Sequence, residues 1–249
     1  HLISFNQHVL SRGGEVEQTW LNEGLSHIAE ELASKMYEAR FPAPLGRSTK
    51  EQIFPDSAGP FIAPLLLNAY AYLNSALEHS ATAYEGVGSL EERGATWLFL
   101  RWLGDQKGDA IFRRMVEAPV TGFANVERAS GEAFPALFGD FSLALFSDSL
   151  PGISRSLVAP RQRFLSRNLR QLMAREATIA GFPNPFPLAT YALAVGGSLR
   201  SAMFPGTMVH AIVRTPGANA PMRLSFTTPG FTPFAPSLGG QVSIMRLPP

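Results

Sequence analysis

The sequence predicts an α+β protein, mostly helical over residues 1–175 and β-rich over 176–249. Two observations predict it. Through most of the first 150 residues, apolar side chains recur at spacings of three and four, the period of a helix with one buried face. After about 175 the texture changes to short β-rich runs, "LATYALAV", "MVHAIVRT", "MRLSFTT" and "QVSIMRL", separated by Pro and Gly clusters. A chain of 249 residues is long enough to bury a sizeable core in one large or two small domains.

The elements follow in order. "HLISFNQHVLS" carries Leu2, Phe5 and Val9 on one side, which suits the later turns of a helix already running where the sequence opens; Gly13-Gly14 interrupts it. A helix over 19–40 has Leu21, Leu25, Ile28, Leu32 and Met36 as its apolar stripe, with Glu23, His27, Glu30 and Ser34 opposite. Four prolines and two glycines make 41–60 a long loop, a length uncommon in compact domains unless it has a function. Helical patterns resume in "FIAPLLLNAYAYLNSALEH" and in "SLEERGATWLFLRWLGDQKG", where Leu90 to Leu103 is apolar on nearly every side and reads as a buried central helix. "DAIFRRMVEA" and "GEAFPALFGDFSLALFSDSL" complete the helical part. The β-rich runs, recurring every 10–15 residues or so, read as a small antiparallel sheet or sandwich.

Composition excludes several classes. Hydrophobic residues are 45% and charged ones 16%, an ordinary globular balance leaning apolar. A net charge of +1, with no basic block interleaved with aromatics, gives no electrostatic footprint for nucleic acid. Cysteine is absent, so there is no disulfide, thiol nucleophile or thiolate metal site, and the redox compartment stays open. No apolar run approaches the roughly 18–20 residues of a membrane span. The sequence carries no G-x-S-x-G elbow, P-loop or dinucleotide fingerprint. Five histidines stand at 1, 8, 27, 79 and 210; His79, ending a helix, and His210, in a strand-like run, read as structural.

The chemistry turns on "TWLNEGLSHIAEEL". By periodicity alone, its polar side is either a solvated face or the wall of a cleft that offers Glu23 to a metal. "WLNEG" followed by small and apolar helical residues resembles the third-ligand helix of the gluzincin zinc metallopeptidases. In that family a His-Glu-x-x-His helix supplies two imidazoles and the general base, and a glutamate on a second helix completes an open site with one position for water. "HLISFNQHVL…TWLNEG" is closest to the hyicolysin-type secreted bacterial members, with Ile3 to Gln7 and Leu25-Ser26 also matched. The resemblance implies that His1 is the second histidine of the motif and Glu23 the third Zn2+ ligand. The first histidine and the base would then stand just upstream of His1, where the sequence opens without Met. The chain by itself is accordingly expected to bind zinc weakly and to be inactive. Peptides or proteins are the implied substrates, and secretion or the cell envelope the implied location.

The family's tyrosine donor to the oxyanion would fall at Glu91 here. Tyr84 is the candidate in its place, either a donor or a packed loop tyrosine. Four residues after Glu23, where the thermolysin-like branch has a carboxylate, stands His27. The alternative function is a non-catalytic helical scaffold with a β-sandwich that binds a protein or glycan. Ligation by both His1 and Glu23 requires their donor atoms to converge within roughly 3–4 Å.

Overall fold

The computed structural model describes residues 1–40, 62–82, 86–180, 182–214, 217, 221–235 and 239–247. Among these the chain is mostly helical, with a small two-stranded sheet. Helix α1 (Leu2–Phe5) continues without a break into a π-helical turn at Asn6–Leu10. Then come α2 (Thr19–Arg40), α3 (Ala63–Asn74), α4 (Leu90–Lys107), α5 (Ala110–Val116), α6 (Gly122–Ser130), α7 (Phe134–Ser147) and α8 (Leu169–Ala180). The loop expected at 41–60 lies outside the described residues.

Helix α4 is the axis of the core, as its all-round apolar sequence predicts. Every residue from Gly94 to Gly104 is buried, and α2, α3, α5 and α7 pack around it. Its start is set by Ser89, whose hydroxyl accepts the Glu92 N–H at 3.3 Å while the Glu92 carboxylate accepts the Ser89 N–H at 2.8 Å. Phe99 meets Trp102, Phe134, Phe138 and Phe141, and Trp102 meets Phe141, edge-on or tilted, with ring centroids 5.4–6.3 Å apart. Of these, Phe99, Trp102 and Phe141 are buried, and each contributes about 1.5–3 kcal/mol relative to exposure.

Two glycines set how closely the helices approach. A Cβ on Gly94 would lie 2.2 Å from the Asn68 carbonyl oxygen of α3, and one on Gly24 would lie 2.4 Å from Thr96 Cγ2 of α4. Both sites need a residue without a side chain, because a neighbouring helix occupies the space. On α2, Leu21, Leu25 and Ile28 are buried as the stripe predicts, but Met36 is 76% exposed. The opposite face is not simply wet: His27 is buried. Glu31 is wholly buried, accepting Trp97 Nε1–H at 3.1 Å and Arg167 Nε–H at 2.8 Å, with Arg101 Nη1 3.7 Å away. Such a buried carboxylate persists because its oxygens are hydrogen-bonded and its charge is met by two guanidiniums.

Beyond α8 the expected antiparallel sandwich is not what the described residues form. Strands β1 (Thr190–Leu193) and β2 (His210–Val213) pair in parallel, Thr190 opposite His210 and Leu193 opposite Val213. The runs at 222–228 and 241–247 form no strand; Thr227 makes one antiparallel bridge, to Pro233. The parallel sense follows from the connection, since 194–209 crosses back before β2 begins and no tight hairpin joins the two. Tertiary contacts anchor this part. His210 Nε2 donates to the Ser142 carbonyl of α7 at 2.8 Å, and burial pushes its imidazole below the usual range. Gly139 of α7 leaves room for Gln241 and Ser243. No described helix is long and apolar enough to cross a membrane.

Candidate metal centre

The centre is built on α1 and α2 and on the turn that folds one onto the other. His1 stands at the N-terminal end of α1, its carbonyl accepting the Phe5 N–H at 2.8 Å. After the π-helical turn, Gly13 adopts φ 62° and the chain doubles back, with Gly14 N–H donating to the His8 carbonyl at 2.9 Å. Glu17 fixes the return. Its buried carboxylate accepts the Gln18 N–H at 2.8 Å, the Gly122 N–H at 2.6 Å and Asn125 Nδ2–H at 2.7 Å, the last two from α6. His8 Nε2 lies 3.9 Å from the same carboxylate. Next, Trp20 enters the core, its indole N–H donating to Gln18 Oε1 at 2.9 Å, and α2 is under way.

This path brings the first histidine and the first glutamate of α2 together. His1 Nε2 and Glu23 Oε1 are 3.5 Å apart. Two donors each about 2.0–2.1 Å from a tetrahedral zinc sit roughly 3.3–3.4 Å apart, so an imidazole nitrogen and a carboxylate oxygen at this separation fit two corners of such a site. The two differ in setting: the His1 side chain is 53% exposed and that of Glu23 only 15%. Among the described residues no group of three His, Cys, Asp or Glu gathers to hold a metal, and His1 and Glu23 stand as a pair.

Glu23 is placed by the glycine after it. Because Gly24 admits α4 to close contact, the first turn of α4 comes up beside Glu23, and Arg93 Nε stands 4.0 Å from Glu23 Oε2. The two carboxylate oxygens thus face different partners. Two buried polar atoms on α2 have no hydrogen-bond partner among the described residues, Asn22 Oδ1 and His27 Nε2. The other nitrogen of His27, Nδ1, is 3.2 Å from Glu30 Oε2.

Tyr84 lies outside the described residues. Glu91, at the position expected for a tyrosine, is in the first turn of α4; hydrogen bonds from its own backbone N–H and from Ser89 hold its carboxyl below the ordinary range. His79 Nδ1 is 3.4 Å from Ser89 Oγ, which places it at the start of α4. Sequence reading missed Arg93 and Glu17, and no local signal marks either, since their partners are about 70 and 105 residues away in the chain. Glu31 did carry one: it falls three residues after Ile28 and seven after Gly24, on the buried side of α2.

Comparison with protein-family models, with curated proteins and with solved structures finds no match to this chain.

Proposed function

We propose that this chain is the C-terminal portion of a secreted or envelope-located bacterial zinc peptidase of gluzincin type, in which His1 Nε2 and Glu23 Oε1 hold the metal. The observation that supports it is the 3.5 Å between those atoms, close to the spacing of two zinc donors, in residues that the motif resemblance had singled out. Bound zinc supplies a Lewis acid for the scissile carbonyl and water of lowered pKa. The chain's own residues do the rest of what is visible here. Glu23 orients one oxygen toward His1 and the other toward Arg93, and Glu17 holds the turn that keeps α1 against α2. The remaining histidine and the general-base glutamate would come from the residues that precede His1 in the resemblance.

The test is zinc content and peptide hydrolysis of the chain extended upstream of His1, beside Glu23→Ala. One zinc per chain and cleavage in the wild type, with both lost in Glu23→Ala, is the expected result. A wild type that takes up no zinc refutes the reading.

The second reading, a scaffold that binds a partner, draws on the region after 182. Phe204, Phe226, Phe231, Phe234 and Ile244 are all exposed there, apolar groups of the kind that a partner would cover. Retained binding of a protein or glycan by a chain that holds no zinc would favour it.

A further inference from the structure

Arg93 is not spent on Glu23. At 4.0 Å its Nε lies beyond hydrogen-bond distance of the carboxylate, and that N–H donates instead to the Val87 carbonyl at 3.1 Å. Among the described residues Nη1 and Nη2 have no partner. The guanidinium is nonetheless held in place. It stands in the first turn of α4, which is capped by Ser89 and Glu92 and pressed against α3 at Gly94 and against α2 at Gly24. Its side chain is 27% exposed, so solvent screens it only in part.

The charges at this place do not balance once a divalent cation is added. Glu23 brings one negative charge and Arg93 one positive charge. A divalent cation at Glu23 Oε1 is neutralised by Glu23 together with the general-base glutamate of the proposed site, so Arg93 adds one positive charge that a substrate anion would meet. A planar fork whose Nη1 and Nη2 are free among the described residues is suited to that anion, because it can donate two converging hydrogen bonds to one oxygen or two parallel ones to a carboxylate.

Resting on the peptidase reading above, we infer that Arg93 holds a negatively charged oxygen of the substrate beside the metal. Two oxygens share this chemistry. When water adds to a peptide carbonyl, the new C–O bond forms as the π pair moves onto the carbonyl oxygen, and the water's proton leaves to a base; that oxygen then carries a full charge. A free C-terminal carboxylate next to the scissile bond carries the same charge before reaction. Either would make Arg93 a residue that touches the substrate, and the first would give it the part assigned on resemblance to a tyrosine.

The test uses the chain extended upstream of His1, as wild type, Arg93→Ala and Arg93→Lys. Zinc content is measured first, then binding of a phosphinic peptide with a free C-terminus, which carries both a tetrahedral anion and a terminal carboxylate, by calorimetry. The kcat/KM for one peptide is then measured with its C-terminus free and amidated. Arg93→Ala is expected to keep one zinc per chain and to bind the phosphinic peptide about 100-fold more weakly, with kcat/KM down by about 10²–10³; Arg93→Lys recovers part of both. An equal loss for free and amidated peptides assigns the oxyanion, and a loss confined to the free peptide assigns the terminal carboxylate and exopeptidase action. Unchanged phosphinic-peptide binding in Arg93→Ala, with zinc retained, overturns the inference and leaves the metal reading standing. Loss of zinc in Arg93→Ala overturns it too, by showing that Arg93 acts through Glu23. A wild type without zinc removes the metal reading and this inference with it.

Discussion

Replacing Glu17 with alanine probes whether the α1–α2 turn is held by one buried carboxylate. Its side chain is fully buried, and two of its three hydrogen bonds, from the Gly122 N–H at 2.6 Å and Asn125 Nδ2–H at 2.7 Å, are themselves buried. Hydrogen bonds to a charged group are worth about 1.5–3 kcal/mol each, and an abandoned buried donor keeps its desolvation penalty. Asn125 still donates to the Met115 carbonyl at 2.9 Å, which limits the loss on that side. The expected cost of Glu17→Ala is therefore about 3–5 kcal/mol, which for a chain of this size lowers Tm by roughly 6–20 °C. Glu17→Gln separates charge from shape. Its amide oxygen can still accept from Gly122, but its NH2 meets the NH2 of Asn125, so about half the loss is expected. Urea unfolding followed by tryptophan fluorescence and far-UV circular dichroism reads both values. A loss below about 1 kcal/mol for Glu17→Ala would show that the turn is held by other contacts, and would refute the reasoning that places His1 through Glu17.

Gly94→Ala is expected to cost about 3 kcal/mol or more, above the usual range for overpacking, because the new methyl meets the Asn68 backbone 2.2 Å away rather than a side chain that can turn aside. Thermal unfolding measures it, and a Tm within 2 °C of wild type, as about 0.5 kcal/mol would give, refutes it. Glu132 accepts hydrogen bonds from Arg161 and Lys107, which hold its carboxyl at about 2, below its ordinary 4.5. A depressed carboxyl stabilises the fold above its unfolded value, and that contribution is lost as pH falls from about 4.5 toward 2. The group is 31% exposed, so its worth is about 1 kcal/mol or less. The Tm advantage of wild type over Glu132→Gln should then shrink across that interval; an advantage constant from pH 6 to pH 2 contradicts the assignment.

Much of the helical part was legible in the sequence, and so was one pair of the candidate site. Apolar spacing located α2, α4 and α7, and the unbroken apolar run marked α4 as central, because a helix buried on all sides has no polar face to show. His1 and Glu23 were singled out by motif, and the fold brings them to 3.5 Å. Met36 was misplaced on the core side because periodicity continues past the point where packing on α4 stops. His27 was assigned to the polar face and is buried, since an imidazole that shares a proton with Glu30 can be covered on its other sides. The β-rich runs were found, but not their pairing. Composition says that a segment can be a strand, while its partner and direction depend on how the chain crosses between strands.

What the sequence by itself determined, then, was local: helix periods, the break at Gly13-Gly14, and the motif resemblance at Glu23. The tertiary structure decided which charges meet. Glu31 meets Arg101 and Arg167, and Glu17 meets Asn125 and the Gly122 N–H, partners roughly 70 to 136 positions away. A charge has no period and no propensity that points to a distant partner. Its place is set only when burial removes water and leaves the protein's own donors to satisfy it.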